Sequence, residues 1–124
     1  MALKVADRIK QLTTSTGTGD ISFNATPVGF ASFSSVLTSG DTTYYCIEEN
    51  DKFEVGLGTY GSDNLERTSI FSSTNSGAKI TLGGSGIVSI TQPANNAVYL
   101  NTEFNTVATS GIAFDGTTDL LKPV

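Results

Sequence analysis

Thr42-Thr43-Tyr44-Tyr45-Cys46-Ile47-Glu48 and Lys52-Phe53-Glu54-Val55-Gly56-Leu57-Gly58-Thr59-Tyr60, separated by Glu49-Asn50-Asp51, decide the fold. Both runs are rich in aromatic and β-branched residues, and the short acidic connection suits the closing turn of an antiparallel pair, so a hairpin is predicted. Gly56 and Gly58 alternate with Val55, Leu57 and Thr59. That pattern predicts a bulge, a twist or another backbone passing close to the second strand.

Upstream, Ser39-Gly40-Asp41 ends a segment in which Phe30, Phe33 and Val36 or Leu37 recur every three to four residues, enough for one or two helical turns. Pro27 and Gly29 close a hairpin predicted over Thr13 to Phe23, with its turn at Gly17-Thr18-Gly19-Asp20. Val5, Ile9 and Leu12 fall at helical spacing, yet the following Thr13-Thr14-Ser15-Thr16 favours extended chain. Residues 1–15 therefore read as a short helix or an extended arm.

Downstream, Leu65 to Ser72 reads as a strand, Asn75-Ser76-Gly77 as a turn, and Ala78 to Leu82 as a further strand. Ile87-Val88-Ser89-Ile90-Thr91 has the apolar density of a central strand and stops at Gln92-Pro93. Ala94 to Val124 carries Val98, Tyr99, Leu100, Phe104, Val107, Ile112 and Phe114 among turn residues, which suits a small element or a C-terminal arm docking on a neighbour. The fold class is all-β and mainly antiparallel: a compact β-sandwich or barrel-like core over 16–93, with short helical turns and extended terminal arms at 1–15 and 94–124.

Composition narrows the chemistry. The chain has 124 residues, room for one domain, and its seven Lys and Arg against twelve Asp and Glu give a net charge of −5. A phosphate backbone would be repelled, and only Lys4, Arg8 and Lys10 cluster, so no nucleic-acid partner is expected. No apolar run approaches the ~18 residues of a membrane helix, and charge interrupts any signal-peptide core near the start. A soluble protein made in a cytoplasm, with no membrane partner, is the expectation. The absence of histidine removes Ser-His-Asp, Cys-His and HExxH chemistries, and the single Cys46 has no partner for an internal disulfide.

The remaining motifs have bland readings. Gly56-Leu57-Gly58-Thr59-Tyr60-Gly61 matches GxGxxG, but Ser62-Asp63-Asn64 is a turn where a dinucleotide fold needs a helix. Gly83-Gly84-Ser85-Gly86 lacks the Lys of a P-loop and reads as a flexible connection. Glu48, Glu49 and Asp51 could hold calcium or an acid–base pair, but alternation sends Glu48 and Glu49 to opposite faces, leaving an exposed acidic hairpin tip. Asp115-Gly116-Thr117-Thr118-Asp119 lacks the ligand order of an EF-hand. Tyr44, Tyr45 and Tyr60 could stack on sugar rings, with cross-strand packing as the simpler account. No catalytic residue, metal ligand or cofactor site is assigned, and the chain is read as a non-enzyme.

One order of residues carries a resemblance. Val5-Ala6-Asp7-Arg8-Ile9-Lys10, a Thr/Ser run to Thr16, Gly17-Thr18-Gly19 and Val28-Gly29-Phe30-Ala31-Ser32-Phe33 are followed by Asp41 to Ile47, Phe53 to Tyr60, Leu65-Glu66-Arg67-Thr68 and Ser72 to Gly77. Over residues 4–93 the chain resembles a small β-rich module of tailed-bacteriophage virion proteins, found alone or at the N-terminus of tail fibres and other appendages. The resemblance implies a virion structural protein assembled in the host bacterial cytoplasm, acting as a tail or neck adaptor that anchors an appendage. Its partners would be other virion proteins and further copies of itself, a trimer being one fitting symmetry. Residues 94–124 are short for a receptor-binding shaft. A capsid decoration or cement protein is the structural alternative, and a carbohydrate-binding module the alternative of another class. The partner-binding residues expected on the two arms are Val5, Ile9, Leu12, Phe104, Ile112 and Phe114.

Overall fold

The computed structural model describes residues 2–97, 99–100 and 106–107. The chain divides into two units, Met1–Thr91 and Gln92–Val124. The first holds β1 (Lys10–Thr13), β2 (Thr16–Gly17), β3 (Ile21–Ser22), a 3-10 turn at Phe33–Ser35, β4 (Thr42–Glu49), β5 (Lys52–Gly61), β6 (Asn64–Ser73), β7 (Leu82–Gly83) and β8 (Gly86–Ile90). In the second, a 3-10 turn at Ala94–Asn96 precedes β9 (Tyr99–Leu100) and β10 (Thr106–Val107), which pair antiparallel.

The fold is all-β. A six-stranded sheet runs β1-β8-β4-β5-β6-β3 with every neighbour antiparallel, and β2 pairs with β7 apart from it. The β4–β5 hairpin forms as the alternation predicts, in register from Thr42↔Thr59 to Glu49↔Lys52. Asn50 turns it with a φ of 56°, a left-handed conformation that Asn tolerates better than most residues. β8 lies between β1 and β4, so the apolar run Ile87–Ile90 is interior to the sheet.

Two bulges curl this sheet. The β5–β6 register slips between Val55 and Gly56 and again between Leu57 and Gly58. At Gly56 a Cβ would stand 2.2 Å from the Ser69 carbonyl oxygen and 3.1 Å from the Tyr45 hydroxyl, so only glycine lets the bulged backbone pass. The added twist bends β6 toward the other edge of the sheet. Beyond β3, Asn24 N–H donates to Leu12 O at 2.8 Å and Leu12 N–H to Ala25 O at 2.9 Å. Residues 21–25 thereby touch β6 on one side and β1 on the other, and the barrel nearly closes.

The interior holds Ile9, Ile21, Phe33, Leu37, Tyr45, Ile47, Tyr60, Leu65, Ile80, Leu82 and Val88. Phe33 plugs one end, stacked on Phe23 with ring centroids 4.4 Å apart. Gln11 fixes that plug: its Oε1 accepts from Phe33 N–H at 2.8 Å while its Nε2 donates to Asn24 O at 2.9 Å. Full burial of such a phenyl ring stabilises by roughly 1.5–3 kcal/mol.

Several expectations need correction. Residues 10–13 are a sheet strand rather than part of an arm or helix, because Lys10 to Thr13 pair with Ser89 to Gly86. Thr13 to Phe23 is not a simple hairpin, since β2 pairs with β7 and β3 with β6. Ala78 to Leu82 is not a sheet strand: only Leu82 enters one, because the Ile80 peptide is held instead by side chains from the barrel interior. The helical spacing over Phe30 to Leu37 yields a single 3-10 turn, with Phe33 and Leu37 buried as the spacing implied.

Candidate functional site

Strand alternation splits β4 and β5 into two surfaces of different chemistry. Inward, the Tyr45 hydroxyl donates to Glu54 Oε2, and Arg67 Nε of β6 lies 3.1 Å from the same oxygen, with both charged side chains fully buried. The Arg67 Nε–H makes this ion pair without a well-aligned hydrogen bond. Glu54 Oε1 accepts from Ile80 N–H at 2.8 Å and Arg67 Nη2 donates to Ile80 O at 3.1 Å, so the pair grips both backbone polar groups of one residue. Burial, and then the hydrogen bond to Glu54, push the Tyr45 hydroxyl pKa well above its ordinary value, keeping it a neutral donor.

Two further carboxylates pin backbone. Glu49 accepts from Gly83 N–H at 2.6 Å and Ser85 N–H at 2.8 Å, with Lys52 Nζ at 3.3 Å. The Ser85 amide, followed by Gly83, holds its pKa below the usual range. Asp41 accepts from Ala2 N–H at 3.1 Å and Thr38 N–H at 2.9 Å and pairs with Lys4 Nζ at 2.8 Å. The Lys4 ammonium and then the Thr38 amide hold its carboxyl far below the ordinary value. These groups are engaged in holding the barrel, its 78–85 strap and its N-terminal segment. The acidic hairpin tip is thus only partly exposed: Glu48 and Asp51 face solvent, whereas Glu49 is buried by the strap it binds.

Outward, the middle of the hairpin is apolar, between the Thr42–Thr59 pair at one end and Glu48 at the other. Tyr44 pairs with Leu57 and Cys46 with Val55, while Glu48 lies between Phe53 and Ile87. The Phe71 ring of β6 sits 6.0 Å from that of Tyr44. Phe53 remains 39% and Ile87 36% exposed, and Tyr44, Cys46, Val55, Leu57 and Phe71 are half-buried. Glu48 is the one charge at the outward positions of β4, β5 and β8. Burial, with the Glu48 and Glu54 charges adding to it, raises the Cys46 thiol pKa and keeps it protonated. A contiguous apolar sheet face of this kind offers water-excluding contact to a partner.

Of the arm residues named from sequence, Val5 is 50% and Leu12 39% exposed. Ile9 is corrected: at 3% exposure it belongs to this chain's own core, because β1 joins the sheet and turns Ile9 inward. Phe104, Ile112 and Phe114 lie outside the described residues. Tyr60 is buried, and Tyr45 is consumed by Glu54, so neither presents a ring to a sugar. Sequence reasoning missed the outer face as a unit. Its signal was present: Tyr44 and Cys46 are as apolar as Tyr45 and Ile47, a two-sided pattern typical of strands covered on both faces.

An open cleft of about 410 Å³ lies beside the hairpin tip, lined by Asp51, Lys52, Thr74, Asn75, Ile80 and Thr81. Lys52 Nζ crosses it to Thr81 O at 2.7 Å, tying the tip to the strap. Among the described residues, no group of three or more Cys, Asp or Glu is placed to hold a metal, and no helix is long and apolar enough to cross a membrane. No family model, no curated protein and no solved structure matches this chain.

Proposed function

We propose that the chain is a structural component of a tailed-bacteriophage virion, an adaptor at the tail or neck that anchors an appendage through protein–protein contacts and performs no catalysis. The observation that carries this reading is the apolar outer face of β4 and β5, formed by Tyr44, Cys46, Phe53, Val55 and Leu57 and bordered by Glu48 and by Ser89 of β8. A barrel whose interior carboxylates are all committed to its own backbone gives a stiff block, and stiffness keeps the entropy cost of docking low. The sequence resemblance over residues 4–93 supplies the setting: a virion, other virion proteins as partners and a symmetric homo-oligomer.

Counting copies in purified particles tests it. A few to a few tens of copies per virion are expected for a tail or neck adaptor, and Leu57→Asp on the outer face is expected to lower that occupancy at least tenfold. Hundreds of copies would replace the reading with a capsid decoration protein bridging shell subunits. Absence from particles, together with glycan binding by the isolated chain, would replace it with a carbohydrate-binding module.

A further inference from the structure

The strap over residues 78–85 is gripped by two ion pairs at different depths. Inside the barrel, the fully buried Glu54 and Arg67 hold the N–H and C=O of Ile80. At the hairpin tip, Lys52 Nζ donates to Thr81 O at 2.7 Å, while Glu49 accepts from Gly83 N–H at 2.6 Å and from Ser85 N–H at 2.8 Å. The two tip side chains lie 3.3 Å apart. Three backbone groups of residues 81–85 therefore depend on one ion pair, whose lysine side chain is 38% exposed and lines the open cleft.

Little else holds this half of the strap. Its ladder is two residues long, with Gly83 opposite Thr16 and Leu82 opposite Gly17. Leu82 is its buried apolar anchor, whereas Thr81, Gly83 and Ser85 are exposed. Gly84 has a φ of 105°, and a Cβ there would meet no atom closer than 3.7 Å, so conformation rather than space calls for glycine. The chain has a swivel point between Leu82 and β8.

Charge decides whether the tip grips. An ionised Glu49 offers one oxygen to each amide and attracts Lys52; a protonated one turns an oxygen into a donor and loses its hold on the lysine. Lys52 is the charged group that faces Glu49. Glu48 and Asp51 of the same hairpin and Lys79 of the strap are exposed, β2, β7 and β8 carry no ionisable residue, and Lys10 of β1 lies opposite Ser89, away from the tip. Glu54 and Arg67 are turned to Ile80 and Tyr45.

We propose that residues 81–85 form an acid-released flap, held shut by Glu49 and Lys52 and pivoting between Ile80, which the inner pair keeps in place, and Gly86 at the start of β8. Release withdraws Leu82 from the barrel end, parts β7 from β2 and widens the cleft beside the hairpin tip. The device is independent of the virion role. Its pH direction follows from linkage: the contacts that lower the Glu49 pKa exist in the closed flap, so opening gains up to about tenfold per pH unit below 4.5, until the closed form takes up the proton as well.

Amide exchange of the full chain, followed by NMR from pH 6 to pH 3.5 and corrected for intrinsic rates, tests the proposal. Gly83 and Ser85 are expected to lose protection at least threefold more than Ile47 and Val88 in the barrel wall. Glu49→Gln is expected to lower protection of the two flap amides at least tenfold at pH 6 and to flatten their pH response. Lys52→Met is expected to act in the same direction by a smaller factor, and both variants to keep the protection of Ile47 and Val88. Should a variant lose that core protection, the wild-type pH series decides alone. Flap amides that exchange only in step with Ile47 and Val88, or a folded Glu49→Gln chain whose flap stays as protected as the wild type, would overturn the proposal.

Discussion

On β4 and β5, residues one position apart face opposite environments. Tyr45, Glu49 and Glu54 point inward and are polar, yet each is satisfied; Tyr44, Cys46, Val55 and Leu57 point outward and are apolar, yet half-exposed. The usual arrangement, apolar inside and polar outside, is inverted in part. A buried ion pair is weak evidence for stability, because desolvating two charges costs several kcal/mol that attraction only partly offsets. What the Glu54–Arg67 pair secures is a path: holding both backbone polar groups of Ile80, it fixes the course of the 78–85 strap. The inner surface specifies a single fold, and the outer surface is the one the proposed docking would use.

The largest expected effect tests the inner surface. Arg67→Ala leaves Glu54 as an uncompensated buried carboxylate beside Tyr45, and a loss of about 3–5 kcal/mol is expected in urea unfolding. The paired replacement Glu54→Leu with Arg67→Met removes both charges and is expected to cost less than the single change. A single change costing under ~1 kcal/mol would mean that the interior is not pinned by charge.

Next comes the bulge. Gly56→Ala drives a Cβ into the Ser69 carbonyl, a backbone atom that cannot swing aside, so a loss of at least about 1–3 kcal/mol is expected. Gly19→Ala meets nothing within 4 Å and is expected to change the urea midpoint by less than the equivalent of ~0.5 kcal/mol. Equal responses at the two glycines would remove close passage as the reason for Gly56.

These positions also mark what was legible. The β4–β5 hairpin could be read because its alternation is local and its turn is two residues long, and the glycine pair announced the bulge beside it. The Glu54–Arg67 pair could not be read, since its partners lie 13 residues apart on neighbouring strands, where a charge ordinarily means a solvated face. Ala78 to Leu82 was misread for the same reason: its composition favours a ladder, and only the tertiary placement of Glu54 and Arg67 diverts it. Ile9 resisted because a three-to-four-residue spacing shared with Val5 and Leu12 mimics a helix, while pairing with β8 decides the outcome.

The pinned carboxylates sharpen the comparison through pH. Asp41 and Glu49 have pKa values lowered on folding, so their contribution is fully present above about pH 4.5 and is lost as pH falls toward their folded values. Tyr45 is raised, so its contribution is present below about pH 10 and is lost as pH climbs beyond it. Melting temperature against pH is expected to fall at both ends. Asp41→Asn should flatten the acid limb and Tyr45→Phe the alkaline one; unchanged limbs would mean these groups do not govern them.

The smallest expected stability effect lies on the outer face. Val55→Ser replaces a half-buried side chain opposite Cys46, where partial burial limits the loss to under about 1 kcal/mol. That small number is the informative one, because the same substitution is expected to weaken association with the proposed virion partners, read as particle occupancy, at least tenfold. A residue whose apolar surface serves only its own barrel would lose stability without affecting association. One that serves a neighbour should do the reverse, and measuring both quantities on a single variant assigns Val55 to the barrel or to its partner.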